Sequence, residues 1–215
     1  MPKENILSKI FTDKDIAEKV RNKLPKLFAI AELEASRAGK IGMEVGSIRE
    51  QILVALLVAV YGEESVDTDI PITEPEIDVK VRGEPLSIKT ITGLAGVKAS
   101  WTVDATKARE FVKSYTPACD IILAIISWNS KSDKVQSGLF LIRKETQQKI
   151  LKKMGRENYL KLPKEATNPR GVEISKDAII EMLNDKDTLR IDIDWKKEDV
   201  DYKPYKRWVE FWNED

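Results

Sequence analysis

Asp78 and Lys89 are the residues of this sequence whose types and spacing most directly offer chemistry. They lie in Glu76 to Ile91, EIDVKVRGEPLSIKTI, where Val79, Val81, Leu86 and Ile88 alternate with polar residues about Arg82-Gly83-Glu84-Pro85. Alternation on both sides of a Gly/Pro turn predicts a β-hairpin. Such a hairpin puts a carboxylate near the start of one strand and an ammonium near the middle of the next. Held side by side, these two groups can bind a divalent cation and steady a water beside a phosphodiester.

Composition narrows what else the chain can do. It has 215 residues, no histidine and a single cysteine, Cys119. That excludes Ser-His-Asp, Cys-His and His-metal chemistry, internal disulfides and multi-cysteine zinc sites. What remains is carboxylates, lysines, hydroxyls and oxygen-bound Mg²⁺. The 36 basic and 36 acidic side chains cancel, so a cationic coat is absent and any nucleic-acid surface must be a local patch. The longest apolar run, Ile52 to Tyr61, is too short to span a bilayer, and the charged amino terminus does not read as a signal peptide. A soluble, cytoplasmic protein with no membrane partner is expected.

Several elements must position the pair. Residues 4 to 40 read as helices with breaks near Thr12-Asp13 and at Pro25; Asp13 can cap the segment in which Ala17, Val20 and Leu24 repeat at helical spacing. Gly39, Gly42 and Gly46 then mark a flexible link with Met43 at its middle. Met43 reads either as a filler between helices or as an apolar wedge of the kind driven between base pairs. Ser47 to Tyr61 reads as a helix buried nearly all round. Ser47-Ile48-Arg49-Glu50 has the pattern of a capping box, so Glu50 is either a cap or, facing a sheet, a second oxygen ligand.

Val66 to Thr73 suggests an edge strand interrupted by Pro71. After the hairpin a loop from Thr92 to Trp101 leads to a helix over about 103–114, capped by Thr102 or Asp104. Cys119 to Trp128 is a continuous apolar strand that needs cover on both faces. Further on, strands are expected at Ser137 to Ile142, Val172 to Ser175 and Leu189 to Trp195, and helices at Glu145 to Lys153 and Asp177 to Leu183. The tail gathers Tyr205, Trp208, Phe211 and Trp212 at helical spacing, suited to core packing or a dimer contact. No internal repeat is present.

The order helix, strand, strand, strand, helix, strand predicts an α/β fold with three layers, and is the core topology of PD-(D/E)xK nucleases. Three registers match or nearly match their motif: Asp69 with Asp78-Val79-Lys80, Asp185 with Asp194-Trp195-Lys196, and Asp78 with Ser87-Ile88-Lys89. Only Lys89 leads through a crossover helix into an inner strand. Its register carries Ser87 where an acid is expected, a loss that Glu50 can make good, because one carboxylate holds Mg²⁺ weakly.

The set Glu50, Asp78 and Ser87-Ile88-Lys89, with Gly-flanked Met43 before the helix, resembles the ThaI restriction endonuclease family over most of the chain. The resemblance implies a homodimer of the restriction-endonuclease-like fold that cuts double-stranded DNA at CGCG to blunt ends with Mg²⁺, alongside a cognate DNA methyltransferase. It implies Glu50 and Asp78 as metal ligands, Lys89 as the catalytic lysine and Met43 as an intercalating side chain. The core would span 47–143, with an N-terminal helical region at 1–46 and an extension at 144–215 packed on it as one globular domain.

Base contacts are expected from the loops after the catalytic and inner strands: Thr90, Thr92, Lys98 and Ser100, then Asn129, Ser130, Lys131, Lys134 and Gln136. Ser87 is carried as a further DNA-contact candidate. A structure-selective nuclease on the same core, or a catalytically dead DNA-binding module suggested by Ser87, are the rival functions.

Overall fold

The computed structural model describes residues 6–37, 43–71, 74, 76–100, 104–129, 136–162, 171–197, 200, 202–203 and 205–213. It opens with α1 (Lys9–Thr12) and α2 (Lys14–Arg37). Asp13 separates them, its Oδ1 accepting from the backbone N–H of Asp15 at 3.0 Å and Ile16 at 3.2 Å. Those are donors a helix start otherwise leaves unmatched. α2 buries Ala17, Val20, Leu24, Phe28, Ala31 and Ala35 at spacings of three and four, the period of one helix face. The expected break at Pro25 does not occur, and α2 runs through it. An interior proline costs a helix about 3 kcal/mol. Burial of Leu24 and Phe28 on either side of it, each worth about 1.5–3 kcal/mol, outweighs that cost.

α3 (Met43–Tyr61) starts four residues earlier than the glycines suggest. Gly46 lies inside it and Ser47 is in its second turn, so the Ser47–Glu50 capping box is not formed and Met43 is not in a loop. Val45, Arg49, Leu53, Leu57 and Tyr61 form a buried stripe at four-residue spacing, while Gln51, Ala55 and Ala59 are exposed. The helix therefore packs by one face and is not buried all round. Its low amphipathicity in sequence comes from apolar residues left half-covered on its flanks.

The chain then runs through β1 (Val66–Asp67), β2 (Val79–Val81), β3 (Glu84–Thr92), β4 (Val97–Ser100), α4 (Ala105–Ser114), β5 (Asp120–Ile126) and β6 (Gly138–Ile142). It continues through α5 (Lys144–Met154), α6 (Arg156–Tyr159), β7 (Leu160–Lys161), β8 (Val172–Ile174), α7 (Lys176–Leu183), β9 (Leu189–Asp192) and α8 (Lys206–Trp212). One sheet has the order β1-β2-β3-β5-β6-β9; β3 and β5 are parallel and the other pairs antiparallel. A second sheet, β4-β8-β7, is antiparallel. The β2–β3 turn is only Arg82-Gly83, both with positive φ (49° and 81°). That geometry matches strand twist in two-residue hairpins, and Glu84 and Pro85 already belong to β3.

β5 shows why an unbroken apolar strand was legible. Ile122, Ala124 and Ile126 join an apolar cluster with Phe28, Leu53 and Leu57, whereas Ile121, Leu123 and Ile125 join another with Tyr115, Ile150 and Met182. Both faces are covered, as alternation of side chains along a strand requires. Two expectations are revised further on. The stretch after Thr92 is not all loop, because β4 pairs with β8 some 75 residues away in sequence (Lys98 opposite Glu173). Of the tail aromatics, expected in the core or at a dimer contact, Tyr205, Phe211 and Trp212 are 73%, 61% and 89% exposed, which rules out the core for these three.

Candidate active site

Asp78 stands one residue before β2, its backbone N–H donating to the Leu86 carbonyl at 2.9 Å. The β2–β3 register, Val79 opposite Leu86, sets it across from Ser87 and on the same face as Ser87 and Lys89. Three donors converge on its Oδ2: Ser87 Oγ at 3.0 Å, the Ile88 N–H at 2.7 Å and Lys89 Nζ at 2.9 Å. Oδ1 accepts no hydrogen bond among the described residues. Ser87 is thus the residue that orients Asp78. It is 3% exposed, with its hydroxyl committed to that carboxylate.

Glu50 comes to this pair from α3, which packs on β3. Burial pushes its carboxyl up to about 7; the negative charge of Asp78 adds to the rise and the ammonium of Lys89 opposes it. Its titration therefore responds to both Asp78 and Lys89, which places the three within electrostatic reach of one another.

The expected base-contacting residues scatter. Thr90 is half-buried and its hydroxyl, fully covered, makes no hydrogen bond among the described residues. Lys98 and Ser100 are on β4, not in a loop, and Lys98 pairs with Glu173 at 3.4 Å. Thr92 accepts from Arg49 at 3.1 Å. Asn129 is exposed in a left-handed conformation (φ 52°), its N–H donating to the Trp195 carbonyl at 2.9 Å. Gln136 donates to Asn184 at 2.6 Å. Met43 opens α3; Ser130, Lys131 and Lys134 lie outside the described residues.

The model of the family "Restriction endonuclease ThaI" matches residues 10–214. The chain belongs to the ThaI restriction endonuclease family, a family of nucleases. It is also similar, at 52% sequence identity and a TM-score of 0.85, to a solved structure described as a restriction endonuclease in complex with substrate DNA; the match covers 97% of this chain and 99% of that one. No curated protein matches the chain. The mixed α/β architecture is thus that of a restriction endonuclease. Among the described residues no helix is long and apolar enough to cross a membrane.

Within this family member the structure adds a carboxylate that sequence reasoning missed. Glu76, two residues before Asp78, accepts from the Ala118 N–H at 3.3 Å and from the Tyr115 hydroxyl; burial pushes its carboxyl up, against these bonds and the charge of Lys89. Glu76, Ser87, Lys89, Tyr115 and Cys119 line a cavity of about 10 Å³, near the size of one water. Its signal in the sequence was its position on the same alternating face as Asp78. Cys119 is no nucleophile: burial pushes its thiol up to about 12, with Glu76 and Asp78 adding to the shift.

The donor set suits Mg²⁺. Among the described residues no group of three metal-ligating side chains forms a cage. Mg²⁺ commonly takes only one or two carboxylates and fills its other positions with water and phosphate oxygens, which Glu50 and Asp78 can satisfy.

Proposed function

We propose that the chain is a type II restriction endonuclease that hydrolyses double-stranded DNA at CGCG, leaving blunt ends, with Mg²⁺ held by Glu50 and Asp78. The observation that carries this reading is the Lys89 Nζ to Asp78 Oδ2 contact of 2.9 Å, between a residue of β3 and the residue before β2, with Glu50 on α3, which packs against β3. The site, its termini and the cation come from the family resemblance. The DNA-bound relative at 52% identity favours it over a structure-selective nuclease or a dead binding module.

Hydrolysis proceeds without a covalent enzyme intermediate: a water oxygen bonds to phosphorus as the ester oxygen leaves with a proton. Glu50 and Asp78 would hold the cation, which when bound would supply a lowered pKa for a water and an offset to the charge building on phosphorus. Lys89, steered by Asp78, positions the attacking water and faces the growing negative charge. Ser87 and the Ile88 N–H fix Asp78 so that Oδ1 is left for a ligand.

The restriction-endonuclease-like core, with α3 on one face of the sheet and α4 crossing from β3 to β5, is the scaffold for this site. Each chain supplies one set of Glu50, Asp78 and Lys89, so cutting both strands of a palindrome calls for a homodimer. The exposed aromatics of α8 suit such a contact. Met43, the first residue of the helix that carries Glu50, is assigned the intercalating role from the family resemblance. A cognate methyltransferase in the same cytoplasm would protect host CGCG sites.

The test is digestion of plasmid DNA with Mg²⁺ or with EDTA, followed by mapping of the ends. Discrete blunt fragments centred on CGCG, only with Mg²⁺, are expected. Asp78→Asn and Lys89→Ala should each lower the cleavage rate by more than about a thousandfold while DNA binding persists. Wild-type rates in either variant, or cutting confined to DNA junctions, overturn the reading.

A further inference from the structure

Arg49, the residue before Glu50, is 5% exposed, unusual for an arginine. Its Nη2 donates to Glu32 Oε1 on α2, and its Nη1 donates to Thr92 Oγ1 on β3 at 3.1 Å. The guanidinium also lies over the Phe28 ring, 5.7 Å from its centroid. Glu32 is itself held from two other segments, by Trp128 Nε1 and by Lys197 Nζ at 2.8 Å, and Lys197 lies over the Trp128 ring at 5.8 Å. Burial alone would raise the Glu32 carboxyl, but the bonds from Lys197 and Trp128 and the charge of Arg49 hold it below the usual range.

A buried ion pair is seldom a net gain over well-packed apolar residues of the same volume. What a guanidinium supplies instead is fixed geometry, a planar fork whose donors point in set directions. Here the fork spans two elements. One tine reaches α2 and the other reaches Thr92, three residues after Lys89 on the same strand. Sliding α3 by one residue moves it 1.5 Å and turns it about 100°, which would take both tines off their acceptors. A displacement near 1 Å at a reacting centre can cost about a hundredfold in rate.

We propose that Arg49 is a positioning residue for cleavage: by bridging Glu32 on α2 and Thr92 on β3, it fixes the turn of α3 bearing Glu50 against the strand bearing Lys89. This rests on the nuclease reading above. The contacts of Arg49 are to Glu32, Thr92 and Phe28, so it would act through Glu50.

The test compares Arg49→Met, Arg49→Lys, Thr92→Val and the Arg49→Met/Thr92→Val pair. Three quantities are measured: the single-turnover cleavage rate at saturating DNA and Mg²⁺, DNA affinity without divalent cation, and the thermal midpoint. Arg49→Met should slow cleavage by about 10- to 100-fold with DNA affinity within about twofold and the protein folded. Arg49→Lys should not restore the rate, since one ammonium cannot span both acceptors. Thr92→Val should slow cleavage less, and the pair should be no slower than Arg49→Met alone, because a single bridge is being broken. Should Arg49→Met fail to fold, Arg49→Lys and Thr92→Val decide. A wild-type rate in Arg49→Met or Arg49→Lys, a loss of rate that merely follows DNA affinity, or additive losses in the pair overturns the proposal. A wild-type chain that cuts no DNA sinks the nuclease reading instead.

Discussion

Burial favours the neutral acid of Glu50, whereas the proposed cation would need its carboxylate. Its folded-state value of about 7 lies above the ordinary 4.5, so between those values the folded chain binds more protons than the unfolded one. Stability is then undiminished below about pH 4.5 and falls as pH rises through 7, by up to about 3 kcal/mol. In EDTA, urea unfolding of Glu50→Gln should show a gain of about 1–3 kcal/mol over wild type at pH 8 and almost none at pH 4.5; in Mg²⁺ the same variant should lose cleavage. Equal stabilities at pH 8 would show that the carboxylate is not penalised in the folded chain. Ser87 explains its own departure from the usual motif: its hydroxyl directs the aspartate that the missing acid would have accompanied. Ser87→Ala should slow single-turnover cleavage by about 10- to 150-fold, the worth of one hydrogen bond to a charged group, less than Asp78→Asn. The Asp78–Lys89 pair was legible because a single hairpin carries both residues. Glu76 and Arg49 were not, because their partners, Tyr115 with Ala118 and Glu32 with Thr92, come from elements that only tertiary packing brings near.

Among the elements, those with strong local patterns were readable: the hairpin, β5, and α4 with its Asp104 cap, whose Oδ1 accepts from the N–H of Thr106 at 2.7 Å and Lys107 at 3.2 Å. The misreadings came where packing overrode local preference. A glycine within a helix costs about 1 kcal/mol against alanine, which made Gly46 look like a boundary, yet Val45, Arg49 and Leu53 bury their side chains on the same face and carry α3 past it. β4 alternates Val97 and Ala99 against Lys98 and Ser100 but has only four residues, too short a pattern to stand out; pairing with β8 makes it a strand. Gly138 shows the reverse, a residue whose identity is set by a neighbouring strand. It has φ 148°, and a Cβ there would sit 2.3 Å from the Ile191 carbonyl oxygen on β9. Gly138→Ala should therefore cost more than about 2 kcal/mol in urea unfolding and loosen the β6–β9 edge, seen as faster amide exchange at Ile191. An alanine variant as stable as wild type would mean that β9 can shift without penalty.

At the scale of the whole molecule, net neutrality leaves association with DNA to local groups, and the proposed homodimer would draw on the surface of α8. Tyr205, Val209, Phe211 and Trp212 are exposed there, more apolar area than a lone helix end usually offers to water. Replacing Phe211 and Trp212 together by serine should leave the thermal midpoint within a few degrees but shift sedimentation toward the single chain and convert double-strand cuts to nicks. Unchanged sedimentation would place the dimer contact elsewhere. The lone buried thiol has a practical consequence. Because the reactive form of a cysteine is its thiolate, and Cys119 is covered and hard to deprotonate, maleimide reagents at neutral pH should pass it by. The native chain is therefore already a silent background for fluorophore or spin-label attachment: a cysteine introduced at exposed Ala55 or Ala59 on α3 would be tagged alone, with no native residue to remove first.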